Sequence, residues 1–248
     1  AIKDIIYTDI ISVTVNEDDE HVANIMNKYD LIALPVVNES NQLLGRITID
    51  DVMDVAKDEA EKDYQMASGI SEDVESSDTV WELTRARLPW LIIGMLGGIL
   101  GAKVIGIFDL ERNFELAFFI PLIAAMGGNV GVQSAAIVVQ GLANNSLKME
   151  NILQKLIKEL LVGLLNGIIC SVIILVAAFG LGYGMQLSIT VSISLLAVII
   201  FAALFGTFIP LTLEKYKIDP ALATGPFITT LNDVLGLFIY FCIGQMIL

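Results

Sequence analysis

The chain has 248 residues, 55% of them hydrophobic, and a mean hydropathy of +0.73, well above an ordinary soluble domain, so most of it is expected in lipid. Its 28 acidic residues against 14 basic ones give a formal net charge of −14, which argues against nucleic acid or anionic lipid as partner and for cations. Cys170 and Cys242, isolated in apolar runs, read as packed small hydrophobes rather than a disulfide or metal pair.

The charge is unevenly placed. Residues 1–87 hold 20 Asp and Glu against 7 Lys and Arg, whereas residues 88–248 hold 8 against 7. An acidic soluble module precedes a membrane module. The opening "AIKDIIYTDI" lacks the basic start, apolar core and cleavage site of a signal peptide, so insertion is expected to rely on the later spans.

Residues 1–57 read as a small β-α-β-β-α unit. "ISVTV" (11–15) is strand-like, Val22, Ile25, Met26 and Tyr29 recur at helical spacing, and "IALPVV" and "LLGRIT" flank a turn at "NESNQ" before "IDDVMDVAK". Residues 58–87 form an acidic linker: a helical "DEAEKDYQ", a break around "SGI", and a short amphipathic helix "DTVWELTRAR". His21, the single histidine, reads as a solvated helix residue.

Residues 88–248 contain five apolar segments: 89–108, 116–142, roughly 156–181, roughly 187–211, and 223–248. Each meets the ~20-residue length of a membrane-crossing helix. Arg85, Arg87, Lys148, Lys155, Lys158, Lys215 and Lys217 fall on one side and only Arg112 on the other, so the soluble module is expected in the cytoplasm and the C-terminus outside.

Within the last span stands Asp233, the only carboxylate deep in any span. An ionisable group at mid-bilayer costs ~2.5–3.5 kcal/mol on the insertion scale, so its retention points to function. The bland alternative is a structural Asp capped by Thr229 or Thr230. Pro226, Thr229, Asp233, Gly236 and Tyr240 recur at helical spacing and define the face expected toward an aqueous path. The second span is expected to break at "MGGNVGVQS", where Gly127, Gly128 and Gly131 allow close approach or unwinding and Asn129 and Gln133 share a face. Glu159, at the start of the third span, and Asn166, two turns further in, are secondary candidates for the path. One carboxylate with amide and backbone oxygens suits a hard cation held through its waters, and chemistry alone does not separate magnesium from manganese or calcium.

"IALPVV…LLGRITIDDVMDV" resembles one repeat of a CBS domain. "RLPWLIIGMLGGILGAKVIGIF", "FIPLIAAMGGNVGVQSAAIVVQGLA", "KELLVGLLNG" and "IDPALATGPFITTLNDVLGLFIY" are similar, in order and spacing, to the signature segments of the MgtE family of magnesium channels. The resemblance implies an α-helical membrane protein with five transmembrane helices (88–248), preceded by a small α/β CBS-type repeat (1–57) and a helical linker (58–87). CBS repeats work in pairs, so either the chain is truncated at Ala1 or the partner repeat comes from another subunit; Ala1 opens directly on this repeat, so truncation is the expectation. As substrate and regulator it implies Mg2+, in a homodimer set in the cell membrane. The expected path ligands are Asp233, Thr229, Gly128, Asn129 and Gln133, with Glu159 and Asn166 secondary. The expected cytoplasmic sensor is Asp51, Asp54, Glu59 and Asp63, and the CBS resemblance makes Thr48 and Asp51 candidates for an adenine nucleotide's ribose.

Three rivals are weighed against this. A coupled secondary transporter would need a second buried ionisable group or inverted repeats. An intramembrane aspartyl protease needs two facing aspartates, but Asp109 and Asp219 fall in loops. An anion channel would not place Asp233 in its path.

Overall fold

The computed structural model describes residues 10–71, 74–108, 114–143 and 152–248. Arg112 and Lys148, which set the expected topology, and Asp109, weighed as a second aspartate, lie outside them, as does the start of the CBS-like stretch. The chain divides into two compact units, Ala1–Tyr64 and Gln65–Leu248.

In the first unit β1 (Val13–Thr14) pairs parallel with β2 (Ala33–Val37), and β2 pairs antiparallel with β3 (Leu43–Thr48). A parallel pair needs a crossover, and α1 (Asp19–Lys28) supplies it. The apolar residues of α1 turn inward at helical spacing: Val22 and Met26 are buried with Val13, Leu34 and Val52. The last comes from α2 (Ile49–Ala67). α2 runs through residue 57 without a break, so the CBS-like unit and the acidic stretch share one helix. The turn expected at "NESNQ" is held by Asn38, whose Oδ1 accepts from the backbone N–H of Ser40 and Gln42.

Among the described residues the second unit contains five helices long and apolar enough to cross a membrane. They are α3 (Val80–Ile107), α4 (Ile120–Ala143) led by a 3-10 turn at Phe114–Phe119, α5 (Ile152–Gly180), α6 (Met185–Lys215) and α7 (Pro226–Ile247). The amphipathic stretch before the first span is not a separate helix: α3 begins at Val80 and continues through Pro89. Its start is fixed by a capping box, in which the Glu82 carboxylate accepts from the Thr79 N–H at 2.9 Å and the Thr79 hydroxyl oxygen accepts from the Glu82 N–H.

α6 is the hub. It packs against α4, α5 and α7, while α3 lies on α7. Small residues permit the approach: a Cβ on Gly206 of α6 would collide with the Gly131 carbonyl of α4, and one on Gly163 of α5 would stand 3.1 Å from Ala203 of α6. Hydroxyls provide the polar links. Ser171 Oγ donates to the Ser192 carbonyl at 2.9 Å, and Ser192 Oγ donates to the Ser171 carbonyl at 2.7 Å, so α5 and α6 clasp each other reciprocally at mid-span.

Candidate functional site

The site is built where α4 crosses α7. Three glycines of α4 meet different neighbours in the bundle, because each step along the helix turns the facing direction by about 100°. Gly127 faces Val198 of α6, Gly131 takes the Asn232 side chain and Ile228, and Gly128 faces Thr229 and Asp233. The expected break in the second span is corrected here. α4 is continuous from Ile120 to Ala143, since these glycines are used for close approach and the helix hydrogen bonds stay intact.

α7 presents three different faces over a few residues. Thr230 packs its methyl into Gly97 of α3. Asn232 is turned inward, 1% exposed. Asp233 lies between, half-buried beside Gly128. Among the described residues no hydrogen bond or ion pair engages its carboxylate. The capping alternative is not what the helix adopts: the Thr229 hydroxyl donates to the Gly225 carbonyl at 2.7 Å, and Thr230 is occupied by α3.

Asn129 and Gln133 are exposed on α4, on the face next round from Gly128. Gln140 continues the same face and is also exposed; the sequence signal for it is the i, i+4, i+11 recurrence of amides. Exposed amides cannot face hydrocarbon without loss of their hydrogen bonds. The crossing thus holds one half-buried carboxylate, and α4 carries three exposed amides.

Toward the C-terminal end of α7 the expected stripe does not stay open. Gly236 is buried against Val198, and Tyr240 is fully buried with its hydroxyl donating to the Leu116 carbonyl at 2.9 Å. The 3-10 turn packs over this end, which pure helical phase could not reveal.

Glu159 and Asn166 are carried by α5, which packs on α6, whereas α7 packs on α3, α4 and α6. Glu159 accepts a hydrogen bond from Ser134 of α4 at 2.5 Å. Asn166 is exposed on the outer face of α5. Neither is brought to Asp233.

The acidic residues of α2 are spread along one helix. Asp51 and Asp54 are exposed, Glu59 is 3.4 Å from Lys62, and Glu61 is 3.6 Å from Lys57. Among the described residues no three acidic, His or Cys side chains gather as a metal-holding group. Asp51 Oδ2 accepts from both the Thr48 hydroxyl, at 2.6 Å, and the Thr48 N–H, at 2.8 Å, and these donors, the hydroxyl first, hold its pKa below the ordinary carboxylate value. Within the second unit the end of α2 reaches α7: a Cβ on Gly225 would collide with the Ala67 carbonyl, and one on Gly69 would stand 2.5 Å from Pro226.

Comparison with known proteins gives two family matches, a divalent cation transporter model (MgtE) over residues 120–243 and a CBS domain over residues 2–58. The chain is similar to the magnesium transporter MgtE of Bacillus subtilis (strain 168), 37% identical over 245 residues, 98% of this chain and 54% of that protein. It is likewise similar to the magnesium transporters MgtE of Enterococcus faecalis, at 36% over 248 residues, and Thermus thermophilus, at 34% over 251 residues. The chain spans about half the length of the curated relatives it matches.

Proposed function

This chain belongs to the MgtE divalent cation transporter family, a family of transporters and not of enzymes, and from that premise we propose that it conducts Mg2+ across the cell membrane along the α4–α7 crossing. The observation that carries the reading is the Asp233 carboxylate, half-buried in a membrane helix with no partner among the described residues. Mg2+ keeps most of its waters and is held through them by one or two carboxylates. Asp233 would supply that charge, Thr229 and the bare backbone of Gly128 the room beside it, and Asn129 and Gln133 the neutral oxygens. Two copies of the chain would face each other with their Asp233 carboxylates across the path, since the open side of α4 and α7 needs cover from lipid.

The soluble unit would lie in the cytoplasm and sense Mg2+ there. Asp51, Asp54, Glu59 and Asp63 repel their counterparts on a second copy until a divalent ion bridges them. The contact of Ala67 with Gly225 gives α2 a mechanical route to the helix that carries Asp233. The Thr48–Asp51 pair is the proposed contact for an adenine nucleotide's ribose, with Asp51 changing partner from Thr48 to the sugar.

The test is flux into liposomes carrying the protein and a Mg2+-sensitive dye. Asp233→Ala should abolish the signal while the protein elutes and melts like the parent; undiminished flux would remove Asp233 from the path. Combining Asp51→Asn, Asp54→Asn, Glu59→Gln and Asp63→Asn should leave the path open at high cytoplasmic Mg2+. Closure at the parent's concentration would place sensing elsewhere.

A further inference from the structure

A second polar cluster sits at the α4–α5–α6 junction. α5 and α6 run antiparallel in a register that can be followed turn by turn: a Cβ on Gly167 would stand 3.5 Å from Ile199, and one on Gly163 3.1 Å from Ala203. One further turn brings Glu159 to the level of Thr207, which shares the Ala203 face of α6. From α4, Ser134, 4% exposed, donates its hydroxyl to Glu159 Oε1. Three helices thus bring oxygen-bearing side chains to one depth.

Thr207 is 2% exposed, and its hydroxyl has no hydrogen-bond partner. Ser194 of the same helix is likewise unpartnered, whereas Thr190 and Thr212 donate to the carbonyl four residues back. A buried hydroxyl left unpaired is costly, so its orientation calls for a ligand. In the same turn Pro210 lacks the N–H that would bond the Gly206 carbonyl. No ion pair neutralises Glu159 among the described residues; Lys155 and Lys158 stand nearer the start of α5. The shared shortage is of positive charge and donors, and the groups on offer are hard oxygens.

We propose that Glu159, Ser134, Thr207 and the Gly206 carbonyl hold a small dehydrated monovalent cation, of the Na+ class, that ties α4, α5 and α6 together. One carboxylate with neutral oxygens balances a single positive charge. A divalent ion would leave a surplus charge beside the half-buried Glu159, and Mg2+ resists the loss of water that direct ligation by the buried Ser134 and Thr207 hydroxyls demands. The site is distinct from Asp233 and does not rest on the transport reading, because its ion stays in place.

The experiment is thermal unfolding of the whole chain in detergent with EDTA, in Na+, K+ or N-methyl-D-glucamine chloride at equal ionic strength, with a Mg2+ arm without EDTA. An ion bound only by the folded state stabilises it by mass action, so Na+ should raise the melting temperature by several degrees over N-methyl-D-glucamine, saturably. Glu159→Gln and Thr207→Val should each remove that increment, and bound 22Na+ should fall in parallel. Thr207→Val, a change of hydroxyl to methyl, keeps the test valid if Glu159→Gln does not fold. Equal melting in all monovalent salts, stabilisation by Mg2+ alone, or an increment that survives Thr207→Val would each overturn the site.

Discussion

Asp233 and Gly128 share one space: a Cβ built on Gly128 would stand 3.2 Å from Asp233 Oδ1 and 2.9 Å from Thr229 Cγ2. Thr229 cannot rotate away freely, because its hydroxyl is bonded to the Gly225 carbonyl. Gly128→Ala is therefore expected to crowd the carboxylate, lowering Mg2+ flux about tenfold, the equivalent of ~1.4 kcal/mol, with a smaller loss of melting temperature than Gly131→Ala. Gly131→Ala should do the reverse. Its Cβ would collide with Asn232 and stand 2.8 Å from Ile228, both buried, and overpacking of this kind costs about 1–3 kcal/mol. Flux normalised to folded protein, compared with melting temperature, separates the two.

Gly225 has φ +57° and ψ −130°, a region that only glycine enters readily. Gly225→Ala should both strain this turn and strike the Ala67 carbonyl, parting the end of α2 from the start of α7. The expected result is a weaker response of flux to cytoplasmic Mg2+ than in the parent. An unchanged response would disconnect this contact from gating.

Tyr240→Phe removes the donor to the Leu116 carbonyl and leaves that carbonyl buried. A loss of about 1–2 kcal/mol in unfolding free energy is expected from such an orphaned acceptor. Flux per folded molecule should be preserved, because Tyr240 lies outside the open face.

The lowered pKa of Asp51 gives a pH dependence with a definite sign. Its carboxylate is bonded while ionised, so its contribution to stability is present above the ordinary Asp value of 3.8 and fades as pH falls through the lower folded value. Thr48→Val removes the hydroxyl, the larger of the two causes, and should move the Asp51 titration, followed by carboxyl-carbon NMR, back toward the ordinary value. A titration unmoved by the substitution would assign the shift to another group.

Length and hydropathy made the five spans legible, and the Thr-x-x-Glu pattern at Thr79 and Glu82 marks the start of α3 as the structure has it. The isolation of Asp233 was equally readable, since a lone carboxylate in an apolar run announces itself. What remained hidden depends on partners. A Gly-Gly-x-x-Gly run is compatible with a break or with a tight crossing, and only the presence of Asn232, Thr229 and Gly206 against it decides for the crossing. Tyr240 lies nearly in phase with Asp233 along the helix, yet the 3-10 turn at the other end of the chain's second span buries it. Ser134 gave no sign of its role, because its partner Glu159 is 25 positions away on another helix.

The reciprocal bonds between Ser171 and Ser192 bear on how the protein is made. An unsatisfied hydroxyl is costly on a helix released into lipid, and these two answer each other without any help from α3, α4 or α7. α5 and α6 are adjacent in the chain, joined by only Leu181 to Gly184, so the insertion machinery can hand them to the bilayer as a ready hairpin. The remaining helices then have a fixed surface on which to assemble, and the order of biogenesis need not follow the order of the chain.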